Sequence, residues 1–376
     1  MTDDLSQVNL VLFFSGGMSL KKWSDLGMLD REVALYRELR PHLKSITFVT
    51  YGKTGELNYQ DRIGDIKVIF NRWRLPQRVY AYLLKNYYSR KWKTNAIFKS
   101  NQINGAHIAI DSARNSNSRF IARCGYLHSD HMVRQFGAES REAHSATTIE
   151  SYVFPEADQI VVSTPDIRDT IVTSYDVSSS KIRVTPNYVD TALFCPGSEP
   201  SPSDRSLIFI GRFTEQKNIF SLLEAVDGLD VKLTLIGAGD LEDQLRKFVD
   251  NRGLPVQFIG IVPHRQLPEL LRKSSAYILT SHYEGHPKTL LEAMSSGTPV
   301  IGTDVRGIRE VIHHGQTGIL CGTKPEEIRK AIISLLSDPD GAAQMGVRAR
   351  DQIVKQCSLD TIVQMELDTL RSLVKS

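Results

Sequence analysis

The stretch AYILTSHYEGHPKTLLEAMSSGTPVIGTD, Ala276 to Asp304, contains the pattern that decides the fold. A short apolar run, AYILTS, is followed by a polar loop, a helical segment and a second apolar run, PVIGT. That order is one βαβ unit of a parallel sheet. The helix has readable ends. Pro287 suits the first helical position, where its missing N–H is not needed, and Gly297 suits the position just past the end, which predicts a helix over 287–296. The N–H groups of Lys288, Thr289 and Leu290 then face out of the helix N-terminus beside the positive end of its dipole, which makes an anion site. Side chains on a helix lean toward its N-terminus, so Glu292 can aim its carboxylate back at whatever sits there. Glu284 lies in the loop just ahead. Two carboxylates around an anion site suit a ligand that carries hydroxyl pairs as well as phosphate.

Working outward, the same alternation of apolar runs and amphipathic stretches fills both halves of the 376 residues. VNLVLFF, SITFVTY, IKVIF, GAHIAID, FIARCGY and QIVVST are the strand candidates of the first half. LIFIG, VKLTLIG, VQFIG, AYILTS, PVIGT and GILC are those of the second. A chain of this length exceeds what one core usually supports, so two α/β domains are expected. Prolines and serines gather between Ile182 and Ser206, which marks a linker. The expected boundaries are 1–190, a linker at 191–205, 206–356, and a C-terminal helix at 357–376 that packs back on the first domain. Its apolar positions include Leu359, Ile362, Val363, Leu367, Leu370 and Leu373.

Two further loops carry chemistry. After LIFIG the chain turns at Gly211 and presents Arg212 and Lys217 before a helix beginning near Asn218. An arginine fork and a lysine point charge on one loop can clamp a diphosphate in place of a metal. After VNLVLFF comes Ser15-Gly16-Gly17-Met18, where paired glycines let the backbone approach a ligand at the carboxyl end of a strand.

Other signals are weaker. Gly237-Ala-Gly239 begins like a dinucleotide fingerprint, but Glu242 holds the third glycine's place, so no nicotinamide cofactor is expected. Asp338 to Asp340 reads as a turn rather than a metal-binding D-x-D. His282, His286, His313 and His314 form no ligand set, and Cys124, Cys195, Cys321 and Cys357 lie far apart, so neither metal nor disulfides are expected.

The apolar fraction of 41% and charged fraction of 24% are those of a globular protein. Net charge is only +3, yet Ile66 to Ile110 contains no Asp or Glu. Lys67, Arg72, Arg74, Arg78, Lys85, Arg90, Lys91, Lys93 and Lys99 accumulate there, interleaved with Trp73, Tyr80, Tyr82, Tyr87, Tyr88 and Trp92. Two readings stand: a surface for anionic lipid headgroups or a phosphate-bearing acceptor, or a solvated helical face whose aromatics pack inward. The acidic, polar first residues do not resemble a secretory signal, and no apolar run reaches the ~20 residues needed to cross a bilayer. The expectation is a cytoplasmic protein, peripheral on the inner face of the cytoplasmic membrane, with no nucleic-acid partner.

Together these segments resemble glycosyltransferase family 4, a retaining group with the GT-B architecture of two Rossmann-like domains facing each other across a cleft. FIGRFTEQKN, LIGAGDLEDQL, FIGIVPHRQLPELL, YEGHPKTLLEAMSSGTPVIGTDVRGIREVI and HGQTGILC follow the family's order, and PNYVDTALFCPG and ADQIVVSTPDIRDTI also match. The resemblance implies an N-terminal acceptor domain and a C-terminal nucleotide-sugar domain. Arg212 and Lys217 would bind the donor diphosphate, Glu292 the ribose, and Glu284 the transferred sugar near its reacting carbon. Gly285, His286, Pro287, Lys288, Thr289 and Leu290 would line the donor, Gly16 and Gly17 would close over the diphosphate, and the nucleobase would lie near Gly260 and Ile261. The donor is a substrate, so no cofactor is implied. Where many members place a histidine at an N-domain strand end, this chain reads FIARCGYLHSDH. Arg123, Tyr126 and His128 are therefore the acceptor-side candidates. The implied activity is transfer from a UDP- or GDP-linked sugar to a hydroxyl of a glycan or lipid-linked acceptor. A silent nucleotide-sugar-binding partner of another transferase and a nucleotide-sugar epimerase are the alternatives.

Overall fold

The computed structural model describes residues 5–92, 95–197 and 205–375. The chain divides into two compact units, Met1–Pro186 with Ile362–Ser376, and Asn187–Thr361.

The first unit is built on a parallel sheet of seven strands: β1 (Asn9–Phe13), β2 (Ser45–Val49), β3 (Lys67–Ile69), β4 (Ala96–Ser100), β5 (Arg119–Cys124), β6 (Gln159–Val162) and β7 (Ile182–Val184). Their order is β3-β2-β1-β4-β5-β6-β7. Both faces are covered by helices, so the strands are nearly continuous apolar runs, as Leu10 to Phe13 illustrates.

Two expectations fail here. GAHIAID is not a strand: Gly105, at φ 89, starts the helix Ala106–Asn115. Ala106, Ala109, Ile110 and Ala113 face inward at helical spacing. The fourth strand is instead AIFKS, whose Lys99 disguises it. Lys99 is buried, and its Nζ lies 2.6 Å from Glu366 Oε2 on the helix Leu359–Lys375. Burial pulls the Lys99 pKa down, opposed by the Glu366 carboxylate. The strand IRV (β7), inside the expected first domain but at the flank of the linker, was likewise absent from the strand candidates.

The second unit holds β8 (Ser206–Ile210), β9 (Lys232–Ile236), β10 (Val256–Gly260), β11 (Ala276–Leu279), β12 (Val300–Thr303) and β13 (Ile319–Cys321), all parallel, in the order β10-β9-β8-β11-β12-β13. It begins at Asn187, earlier than Ser206. Val189 and Phe194 belong to its core. Phe194 O accepts bonds from Ser295 Oγ at 2.6 Å and Arg350 at 3.0 Å. Residues 191–197, expected as linker, are thus held by this unit, and 198–204 lie outside the described residues. Asp338 caps the helix Pro339–Cys357, accepting from Gly341 N at 3.0 Å. Among the described residues no helix is long and apolar enough to cross a membrane.

Candidate functional site

Connections from β8 run to β9 and β10 on one side, while β11, β12 and β13 lie on the other. The strand order therefore reverses between β8 and β11. In an open parallel sheet a crevice forms at the carboxyl ends of the strands at such a switch point. The loops leaving β8 and β11 are those that carry Arg212–Lys217 and Thr280–Glu284.

Hydrogen bonds sew the two loops together. His282 N donates to Gln216 O at 2.8 Å, Gln216 Nε2 to Tyr283 O at 2.9 Å, and Thr280 Oγ1 to Lys217 O at 3.0 Å. Asn218, at φ 52, turns the first loop into the helix Ile219–Val226. This stitching brings Lys217 Nζ onto Glu284 Oε1, which also accepts from Ser281 Oγ at 2.6 Å. Both members of the pair are largely buried. Arg212 shares the loop but stays exposed. The structure therefore joins one of the two expected clamp cations to the expected sugar carboxylate.

The helix after this loop runs Lys288–Ser295, one residue shorter at each end than expected, with Pro287 as its N-cap rather than its first residue. Leu291 N makes the first bond back, to Pro287 O, so the N–H groups of the opening turn face out of the helix end. The far end closes as a Schellman motif. Gly297 takes φ 73, with Gly297 N on Met294 O and Thr298 N on Ala293 O. Tyr277 OH, deep in β11, meets Thr289 Oγ1 at 2.8 Å and ties the first turn to the sheet. Asn187 brackets His286, its Nδ2 donating to His286 O at 2.6 Å and its backbone N–H to His286 Nδ1 at 3.2 Å. Lys288 Nζ lies 5.6 Å from the Tyr188 ring centre.

Glu292 is buried within this helix, and its Oε1 meets His264 Nε2 at 2.8 Å. Sequence reasoning did not single out His264 or Asn187. Both sit inside the quoted words FIGIVPHRQ and PNYVDT, but a lone His or Asn in a loop carries no periodicity, and its partner is remote in sequence.

Glycines set the spacing of the remaining loops. A Cβ on Gly237 would lie 1.9 Å from Gly211 O, and one on Gly239 would lie 2.4 Å from Phe213 O. The Gly-Ala-Gly turn therefore braces the Arg212 loop. Gly260, at φ 77, ends the edge strand β10 and accepts from Gly237 N at 2.8 Å, with Ile261 exposed beside it. Gly307, at φ 48, lies against the Glu284–Gly285 backbone, where a Cβ would be 2.1 Å from Gly285 O. Replacing Gly307 by Ala must displace that loop or strain the turn, at a cost of ~2 kcal/mol or more. A lowered melting temperature in thermal denaturation, with impaired nucleotide binding, is the expected result; an unchanged melt would show that the contact relaxes freely.

A cavity of about 450 Å³ lined by Ser206, Lys232, Val256 and Lys273 opens at the amino ends of β8–β10, the opposite end of the sheet, and none of these candidate residues lines it.

In the first unit the order reverses between β1 and β4. Ser15–Met18 follows β1 and meets the loop after β4. Gly16 N donates to Asn104 O at 3.1 Å, Gly17 takes φ 75, and a Cβ on Gly105 would lie 3.0 Å from Gly16 N. The strand-like alternation of GAHIAID hides this partner loop in the sequence, since Gly105 in fact caps the helix Ala106–Asn115.

The three acceptor-side candidates occupy different surroundings. Arg123 lies within β5, its guanidinium donating to Val161 O at 3.4 Å. Burial lowers its pKa, with Glu366 opposing. Tyr126 is exposed, 5.7 Å edge-on from the His131 ring. His128 starts the helix His128–Phe136, where the buried carboxylate of Glu150 accepts from the N–H groups of His128 at 2.6 Å and Ser129 at 3.1 Å. Burial lowers the His128 pKa, so the ring favours its neutral form.

Comparison with known proteins places this arrangement. HepE of Anabaena, solved in complex with UDP-glucose, superposes with a TM-score of 0.78 at 16% identity, covering 98% of this chain and 100% of that one. That likeness shows the fold, a GT-B pair of parallel-sheet domains. Glycogen synthase of Mycobacterium tuberculosis is 28% identical over 237 residues, 60% of this chain and 56% of that protein. N-acetyl-alpha-D-glucosaminyl L-malate synthase of Bacillus anthracis is 34% identical over 168 residues, 43% of this chain and 44% of that protein. The chain thus spans about half the length of these curated relatives. Residues 197–352, which include Arg212, Lys217, Glu284 and Glu292, match the family described as glycosyl transferases group 1.

Proposed function

We propose that this chain is a retaining, metal-independent glycosyltransferase of the family 4 type, which moves a sugar from a UDP- or GDP-linked donor to a hydroxyl of a glycan or lipid-linked acceptor. The observation that carries the reading is the convergence, at one switch point, of the Lys217–Glu284 pair with the opening turn of the helix Lys288–Ser295. In this reading the diphosphate sits at that helix end, where Lys217, Arg212 and the outward N–H groups supply the positive charge a metal supplies elsewhere. Glu292 accepts the ribose hydroxyls, and His264 holds its carboxylate in position. Glu284 faces the sugar. As the anomeric C–O bond breaks, charge develops on the leaving diphosphate, which takes the acceptor hydroxyl's proton, and the new bond forms on the same face. Gly16 and Gly17 cover the donor, Gly260 and Ile261 border the base, and the acceptor is met by the first unit.

A thermal-shift panel of UDP-, GDP- and ADP-linked sugars and their diphosphates tests this. A ligand present at ~100 times its dissociation constant adds about 2.7 kcal/mol, which raises the melting temperature by several degrees. At least one nucleoside diphosphate is expected to give that shift. His264→Gln is expected to weaken the same nucleotide ~10-fold, the worth of one hydrogen bond to a carboxylate. No shift with any of the ligands would remove the reading.

A further inference from the structure

The basic, aromatic stretch of the first unit divides its aromatics between two sides. The helix Gln77–Leu83 continues through a π-turn, Leu84–Tyr88, into a short 3₁₀ turn, Ser89–Lys91. Tyr80, Leu84 and Tyr88 point into the core of the first unit. Tyr82 and Tyr87 are 65% and 58% exposed. The π-turn, whose closing bond runs from Ser89 N to Leu84 O, takes an extra residue per turn just after Tyr82, and both Tyr82 and Tyr87 stand outside the core. Just upstream, buried Asn71 bonds both ways to Leu75, at 2.9 and 2.7 Å. That closed loop presents Arg72, Trp73 and Arg74 outward, Trp73 being 50% exposed.

Lys85 is withdrawn into an ion pair with Asp111 at 2.5 Å. Arg72, Arg74, Arg78, Arg90 and Lys91 remain exposed in a stretch without a carboxylate, and Lys93 lies outside the described residues. Cations stand over the rings: the Arg72 guanidinium is 4.2 Å from the centre of Trp73, and Lys91 Nζ is 5.6 Å from that of Tyr87. Neither earlier reading of this stretch holds whole, since part of its aromatic set is core and part is not.

We infer that this outer side, Trp73, Tyr82 and Tyr87 with the five exposed cations, docks on an anionic phospholipid bilayer. Soluble phosphate would use the cations but has no use for three exposed rings. A membrane interface takes both, since aromatic rings settle at headgroup depth and each nearby Lys or Arg is drawn to anionic lipid. The surface would bring the enzyme to a lipid-linked acceptor. Vesicle binding is measured without donor, so its failure and the failure of the transfer reading are separable.

The test is co-sedimentation of the full chain with vesicles of phosphatidylglycerol mixed into phosphatidylcholine, against phosphatidylcholine alone. The wild type is expected to prefer the anionic vesicles by at least ~10-fold, Arg78→Glu with Lys91→Glu to lose ~30-fold or more, and Tyr82→Ser with Tyr87→Ser ~10-fold. Circular dichroism and melting temperature, unchanged in both variants, report that the fold survives. Equal binding to both vesicle types, no binding to either, or binding insensitive to both pairs of changes overturns the inference. So does binding of soluble tripolyphosphate that the charge reversals abolish while vesicles stay unbound, which would point to an acidic soluble acceptor.

Discussion

Glu284→Gln is expected to slow sugar transfer by 10²- to 10³-fold while leaving nucleoside diphosphate binding intact or tighter. The carboxylate is largely buried at the end of β11, and Ser281 and Lys217 both donate to it. An amide of the same shape keeps the packing but removes the negative charge, which in the proposed reaction offsets the positive charge that builds on the sugar as its bond to the diphosphate breaks. Loss of one such preorganised group costs ~3–4 kcal/mol in the transition state. Lys217, released from its partner, is then freer to meet phosphate. Lys217→Met should do the reverse, weakening the diphosphate ~30-fold and leaving Glu284 without its cation. Because the two act as a unit, the double variant should transfer no worse than the weaker single one. Steady-state kinetics with calorimetric binding of UDP or GDP reads both halves. A silent binding partner would show no transfer to lose, and an epimerase would consume the donor with no acceptor present. If Glu284→Gln kept wild-type turnover, the role assigned to this carboxylate would be gone.

The second unit was legible because its central strands β8, β11 and β12 are short apolar runs buried on both faces, and the less buried β9, β10 and β13 keep enough of that pattern that all six stand where the sequence places them. The site loops were legible for a related reason. A βαβ unit fixes which end of a strand a loop leaves from, so both loops were expected at carboxyl ends; that β8 and β11 are neighbours, which lets Lys217 meet Glu284, is set by the order of the sheet. What could not be seen were contacts between single residues remote in sequence: His264 on Glu292, Asn187 on His286, and Gly307 against Gly285. The first unit was harder because a charge sits where the rule demands an apolar residue. Lys99 breaks the pattern of AIFKS, and the error spread to GAHIAID, whose alternation imitates a strand while Gly105 in fact turns the chain into a helix.

The same lysine makes the strongest prediction about stability. Lys99 and Glu366 are both nearly inaccessible, joined at 2.6 Å, with Arg123 close enough for the field of Glu366 to reach it. Removing one member of a buried ion pair costs ~3–5 kcal/mol, because the other is left desolvated without compensation. The two losses should differ. Lys99→Met leaves Glu366 within the field of the Arg123 guanidinium, whereas Glu366→Gln removes the carboxylate that acts most strongly on both buried cations, so Glu366→Gln should be the more damaging. Lys99→Met combined with Glu366→Leu, which fills the space with apolar side chains, should recover most of the loss. A chain of two units has no single unfolding free energy, so the measurement is amide hydrogen exchange in β4 and in the helix Leu359–Lys375, which reports the first unit itself. Exchange there should quicken most in Glu366→Gln, less in Lys99→Met and least in the double variant. If both single changes left exchange untouched, apolar residues such as Ile362, Leu367 and Leu370 would be what seats this helix, and the buried charges would be incidental to it.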